Sequence, residues 1–155
     1  MAGSELAAGH LIGARYRLER LLGQGGMGVV WAAEDTVARL PVALKLMKDA
    51  GDDPEARRRF LREGRAAAAV RHPNVVRILD VLDDGAGDGA PVLVMELLAG
   101  EPLRDLLSRQ GRLALAELAA IMVPVVSAVG AAHALGIVHR DLKPENIFLA
   151  RDPAG

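Results

Sequence analysis

The chain has 155 residues, enough for one domain or one and a part, and 51% of them are hydrophobic, which supports a buried core and argues against intrinsic disorder. Nineteen basic and twenty acidic residues leave a formal net charge of -1, so composition gives no electrostatic case for nucleic acid or an anionic membrane as partner. There is no cysteine, hence no disulfide framework and no thiolate metal site, which suits a reducing cytoplasm.

Residues 1–14 read as a flexible lead-in, without the basic start and apolar block of a signal peptide. YRLERLL, Tyr16 to Leu22, alternates in places and reads as a strand running into GQGGMGVV at 23–30. Val29, Val30 and Trp31 are strand formers, and LPVALKLM at 40–47 predicts a further strand. Asp52, Asp53 and Pro54 offer an N-cap and first turn to the helix EARRRFLREGRAAAAV, which His72-Pro73-Asn74 ends. Val75 to Leu82 and Val92 to Met95 are short apolar runs separated by the loop DDGAGDGA. A short helix near 102–109 and a long one from about Leu115 to Leu135, kinked at Pro124, complete an α+β pattern with a strand-rich first half.

Leu118 to Val138 carry no Asp, Glu, Lys or Arg over 21 residues, long enough to cross a bilayer. Pro124, Ser127, Gly130, His133, Gly136 and much alanine favour a buried core helix instead.

Gly23, Gly25 and Gly28 stand in the spacing G-x-G-x-x-G. Such a turn could seat a dinucleotide on a helix N-terminus, cover ATP as a hairpin, or be a tight turn alone. In a dinucleotide fold the third glycine opens a helix. Here strand formers follow it, although Asp49 stands near the position of the expected acidic residue. Lys45, inside the apolar strand VALK, is either an edge-strand charge or a cation reaching phosphates. Glu63 is either a solvated helix residue or, sharing a face with Phe60 and Ala67, an inward carboxylate.

HRDLKPEN, His139 to Asn146, follows the apolar pair Ile137-Val138. With the glycine loop ending at Val30 and with VALK, it resembles the signature set of the protein kinases, in the same order. The lysine two residues after Asp141 resembles the serine/threonine branch. LLGQGGMGVVWAAED, HPNVVRILD and VLVMELLAG resemble its bacterial members.

The resemblance implies a kinase N-lobe of antiparallel sheet plus one helix at 15–96 and a partial helical C-lobe at 97–155. It implies that Gly23, Gln24, Gly25, Gly26, Met27 and Gly28 close over the phosphates of ATP, and that Lys45, paired with Glu63, holds the α- and β-phosphates. Leu22, Val30 and Ala43 would form the ceiling of the adenine site and Phe148 its floor. Met95 would guard its back, and Glu96 to Leu98 would offer backbone groups to the base. Asp141 would accept the proton of a Ser or Thr hydroxyl on a protein substrate, Lys143 would neutralise charge on the γ-phosphate, and Asn146 would hold Mg²⁺. His139 would brace the loop, and Arg140 would meet an activation-loop phosphate.

After Asn146 the residues IFLARDPAG contain no Asp-Phe-Gly, the family's second Mg²⁺ site, so the resemblance implies a domain truncated before that motif. The expectation is a cytoplasmic fragment that is inactive by itself, poorly stable, prone to associate through its long helix, and able to bind nucleotide weakly. The other reading is a non-catalytic nucleotide-binding or partner-binding module. A dinucleotide-dependent oxidoreductase leaves HRDLKPEN without a role.

Overall fold

The computed structural model describes residues 6–25, 28–47, 53–83 and 90–151. Five of its strands are β1 (Leu11–Ile12), β2 (Tyr16–Gly25), β3 (Gly28–Asp35), β4 (Leu40–Leu46) and β5 (Ile78–Leu82). With β6 (Val92–Glu96) they make a six-stranded sheet in the order β1-β2-β3-β4-β6-β5, every neighbouring pair antiparallel. Helix α1 (Pro54–Ala69) connects β4 to β5. Beyond β6 come β7 (Gly100–Pro102), α2 (Leu103–Gln110), α3 (Leu115–Ala134), a single 3-10 turn at Pro144–Asn146, and β8 (Phe148–Ala150), which pairs antiparallel with β7.

The sheet divides its residues by pleat. One face carries Leu18, Ala33, Val42, Leu44, Leu46, Val92 and Val94, which join Ile12 and Tyr16 in the core, with Val29 and Trp31 packed against it. Each fully buried Leu or Val there contributes roughly 1.5–3 kcal/mol. Aliphatic packing of this kind is what a chain with 3% aromatics must use. Within the lead-in expected to be loose, β1 pairs with β2, and Ile12 is buried because it joins this core.

Charge holds the corner between β3 and β4. Asp35, only 5% exposed, takes Arg15 Nε on Oδ1 at 2.9 Å and Arg15 Nη2 on Oδ2 at 2.6 Å. Its Oδ1 also accepts the N–H groups of Val37 and Ala38, both at 3.0 Å. The guanidinium, and then those backbone donors, outweigh burial and hold the carboxyl well below the usual carboxylate range.

Helix α1 starts where its cap residues predict. Asp53 Oδ1 accepts the N–H of Glu55 at 2.9 Å and of Ala56 at 3.0 Å, and Pro54 opens the first turn. Asp52, the other cap candidate, lies outside the described residues. Helix α3 runs unbroken through Pro124, with Glu117 Oε2 accepting the Ala114 N–H at 3.0 Å at its start. This helix is not covered as a core helix would be; its apolar run lies open, as the association expected of it requires. Among its described residues only Ala128 is buried, and Leu115, Leu118, Val123 and Val126 are exposed. It is also long and apolar enough, by length and composition, to cross a membrane. An apolar stripe is buried only where another element covers it.

The chain divides into two compact units: Met1–Ala69 with Val76–Leu97, and Val70–Val75 with Leu98–Gly155. The boundary thus falls one residue after the expected 96/97. The short Val70–Val75 segment groups with the second unit, where His72 Nε2 lies 3.0 Å from Ser127 Oγ on α3.

Candidate functional site

In the first unit, β2 and β3 form a hairpin that carries the glycines. Gly23 pairs with Val30, Gln24 with Val29 and Gly25 with Gly28, and Leu22 sits at a register shift between Leu21 and Gly23. Gly26 and Met27 lie outside the described residues. The three glycines have different reasons to be glycine. At Gly28, φ is +146° and a Cβ would stand 2.1 Å from the Leu46 carbonyl oxygen, so the fold itself requires it. At Gly23 and Gly25 a Cβ would meet nothing within 4 Å among the described residues. Internal packing leaves these two positions unexplained, and bare backbone facing open space fits the close approach of phosphate oxygens.

Lys45 lies on the sheet face opposite the core. Its cross-strand neighbours there are Val30 on β3 and Leu93 on β6, and one step along the same face lie Ala32, Ala43 and Met95. The register thus brings Val30, Ala43, Lys45 and Met95, all singled out in the sequence, onto one surface. Helix α1 packs on this face too: a Cβ on Gly64 would stand 2.3 Å from Leu93 Cδ2. Glu96 is held at the end of β6, where its Oε1 accepts the Arg77 N–H at 2.8 Å and its own N–H donates to the Arg77 carbonyl at 3.0 Å.

Glu63 does not take the expected place. It is exposed, and among the described residues no ion pair joins it to Lys45. The buried residues of α1 are Leu61 and Gly64. Two residues beyond Leu61 is about 200° around a helix, so Glu63 points away from the packed side. Phe60 and Ala67, used to place it inward, are only partly buried and flank that side.

The second unit builds the HRDLKPEN segment between α3 and β8. Asn146 Nδ2 donates to the Asp141 carbonyl at 2.7 Å and to Asp141 Oδ2 at 3.1 Å. Lys143 Nζ lies 3.0 Å from the same Oδ2. The hydrogen bond from Lys143, then that from Asn146, keeps the Asp141 carboxyl below the ordinary range, so at neutral pH it is an ionised acceptor. His139 Nδ1 accepts the Asp141 N–H at 3.3 Å, tying these two residues together within the loop. Arg140, between them, has φ +63°, a strained value for a non-glycine residue and one that recurs at functional loops.

The segment is fixed from behind. The Asn146 N–H donates to the Lys143 carbonyl at 2.9 Å, and the Ile147 carbonyl accepts the Leu103 N–H at 2.8 Å at the head of α2. Phe148 pairs with Pro102 across β7 and β8 and is 39% exposed. Leu98, half-buried, opens the second unit's main stretch. Because the Asn146 amide nitrogen is spent on Asp141, its Oδ1 is left as the oxygen donor that a hard cation such as Mg²⁺ takes. The His72–Ser127 contact had no sequence signal, since 55 residues separate the partners.

A family described as "Protein kinase domain" matches residues 16–154. The serine/threonine-protein kinase PknE of Mycobacterium tuberculosis is 48% identical over 138 residues, covering 88% of this chain and 24% of that protein. The probable serine/threonine-protein kinase PknB of Corynebacterium glutamicum is 38% identical over 141 residues, covering 90% of this chain and 22% of that one. The chain therefore spans about a quarter of the length of these curated relatives. Among solved structures, the M. tuberculosis PknI kinase domain aligns with a TM-score of 0.80 at 32% identity, over 94% of this chain and 58% of that one.

Proposed function

The chain belongs to the protein kinase domain family, and from that premise we propose that it carries the nucleotide-binding and catalytic-loop residues of a serine/threonine protein kinase. The reaction would move the γ-phosphoryl group of ATP to a Ser or Thr hydroxyl of a protein substrate. One observation carries this reading most: Asp141 is held as an ionised acceptor by Lys143 and Asn146 within a single loop.

Phosphoryl transfer is mostly positioning and charge neutralisation, so each residue's part follows from its chemistry. In the first unit, the open backbone at Gly23 and Gly25 would take phosphate oxygens and the Lys45 ammonium would offset their charge. Val30, Ala43 and Met95 offer an apolar surface for the base on the same sheet face as Lys45. In the second unit, Asp141 would orient the substrate hydroxyl and receive its proton late in the transfer, as suits a carboxylate of lowered basicity. Lys143 can leave Asp141 for the γ-phosphoryl oxygens, being exposed and held there by one contact. Asn146 Oδ1 would ligate Mg²⁺, which supplies charge neutralisation when bound. Glu63 would need a rotation of α1 to reach Lys45, and its part in the site is proposed on the family pattern alone.

We place this activity in the cytoplasm, where ATP and a reducing milieu suit a chain without cysteine. Helix α3 is proposed to pack against protein rather than lipid, since Pro124, Ser127, Gly130 and His133 interrupt its apolar run.

The test has two arms. Titration with ATP and Mg²⁺ should give a saturable signal that Lys45→Met abolishes while the circular dichroism spectrum stays unchanged. In the protein that contains this chain, Asp141→Asn should lower transfer from labelled ATP by about 10²–10⁴-fold. Saturable binding with no transfer from the parent protein would leave only the binding-module reading. Undiminished transfer by Asp141→Asn would refute the role given to that carboxylate.

A further inference from the structure

Helix α1 carries five arginines between positions 57 and 65 in a chain whose net charge is -1. Arg57 is engaged, with its Nη2 2.8 Å from Asp83 Oδ1. Arg58, Arg59, Arg62 and Arg65 are exposed, and among the described residues none of them makes an ion pair. By helical spacing, Arg58, Arg62 and Arg65 share one stripe within about 60° of arc, with Arg59 beside them. Arg58, Arg59 and Arg62 line a common surface depression with Glu55. Two other carboxylates stand within a turn of them: Asp53, whose Oδ1 accepts the Glu55 and Ala56 N–H groups at the helix cap, and the exposed Glu63, beside Arg62 in sequence.

We propose that this stripe is a docking surface for a phosphorylated segment of a protein. Guanidinium groups bind phosphate dianions through paired N–H donors, and several of them converging on one anion gain most. The stripe from Arg58 to Arg65 is about 10 Å long at the α-helical rise. That matches one phosphoryl group and two or three flanking residues of an extended peptide. It is short for a nucleic-acid track, which needs a longer run of charge. It is ill suited to a bilayer, because no large apolar side chain is exposed among the described residues of α1 to insert beside the arginines. The proposal rests on the proposed function only for the origin of its ligand: the reaction's product carries such a phosphoryl group.

The test uses fluorescence anisotropy of a labelled acidic peptide with one phosphothreonine, against the same peptide with threonine. The phosphopeptide should bind the chain at least about tenfold more tightly than its unmodified twin. Arg58→Gln with Arg62→Gln should weaken it at least about tenfold, while Arg112→Gln, an exposed arginine elsewhere, should not. Rising salt should weaken it further. If the double variant loses helical signal, Arg62→Lys replaces it: the charge stays, the fork is lost, and binding should still fall. Lys45→Met should leave peptide binding intact, so failure of the nucleotide reading and failure of this one are told apart. Equal affinity for the two peptides, or unchanged affinity in the arginine variants, overturns the proposal. So does capture of phosphatidylglycerol vesicles that the phosphopeptide cannot displace, which would make the stripe a membrane contact.

Discussion

The three loop glycines should separate into two classes when each is replaced by alanine. At Gly28 the new methyl would stand 2.1 Å from the Leu46 oxygen and 3.1 Å from its carbonyl carbon, with φ at +146°. A non-glycine residue held at such a φ costs about 1–3 kcal/mol, and forcing extra volume against backbone costs about as much again. Gly28→Ala should therefore lose about 3 kcal/mol or more, a large share of the 5–15 kcal/mol typical of a folded domain. With a urea slope of roughly 1–3 kcal/mol per M, the midpoint falls by roughly 1–3 M. Trp31, the single tryptophan, lies in β3 against the core and reports this unit by its fluorescence. Gly23→Ala and Gly25→Ala meet no atom of the described residues within 4 Å, so their unfolding free energies should stay within about 0.5 kcal/mol of the parent. Those two should instead weaken ATP binding. A Gly28→Ala midpoint equal to the parent's, or a fall in Gly23→Ala as large as that of Gly28→Ala, would refute the reasoning.

The Asp35 carboxyl is depressed on folding, so its stabilisation is complete above the ordinary aspartate value of about 3.9 and is lost as pH falls below it. Asp35→Asn should flatten the acid limb of urea stability; a limb of unchanged steepness would contradict this. Lys143→Ala removes the largest influence lowering Asp141, so the Asp141 carboxyl should titrate at higher pH, readable from its ¹³C shift. An unmoved midpoint would show that Lys143 does not hold it. On α3, Val123 and Val126 are 69% and 65% exposed, and replacing both with lysine should reduce self-association in sedimentation without lowering the melting temperature. A parent chain that sediments as a monomer at all concentrations would remove the premise.

The elements most legible in the sequence were those with a period or a turn of their own. YRLERLL, VALK and VLVME alternate or run apolar between glycine and proline, and they became β2, β4 and β6. The cap at Asp53 was legible because capping is local chemistry. The short strands β1, β7 and β8 were not: two or three residues show no period, and Gly100–Pro102 finds its partner at Phe148–Ala150, some fifty residues on. Strand order was hidden too, since β6 inserts between β4 and β5. Glu63 was misplaced because REGRAAAA offers small residues on every side, so periodicity alone could not choose the packed one. The apolar run of α3 was legible, but what covers it was not, because burial belongs to a pair of surfaces and the sequence displays one. HRDLKPEN marked the loop, while the turn of the Asn146 amide onto Asp141 appears only in three dimensions.

The placement of Val70–Val75 has a consequence for how the molecule can be taken apart. The backbone passes between the units at 69/70, 75/76 and 97/98, so neither unit is one contiguous stretch of chain. A polypeptide starting at Leu98 would leave behind His72, the side chain that meets Ser127 on α3. A polypeptide ending at Leu97 would carry that histidine without its counterpart. Any single cut at a boundary between the units thus leaves a piece of one unit on the other.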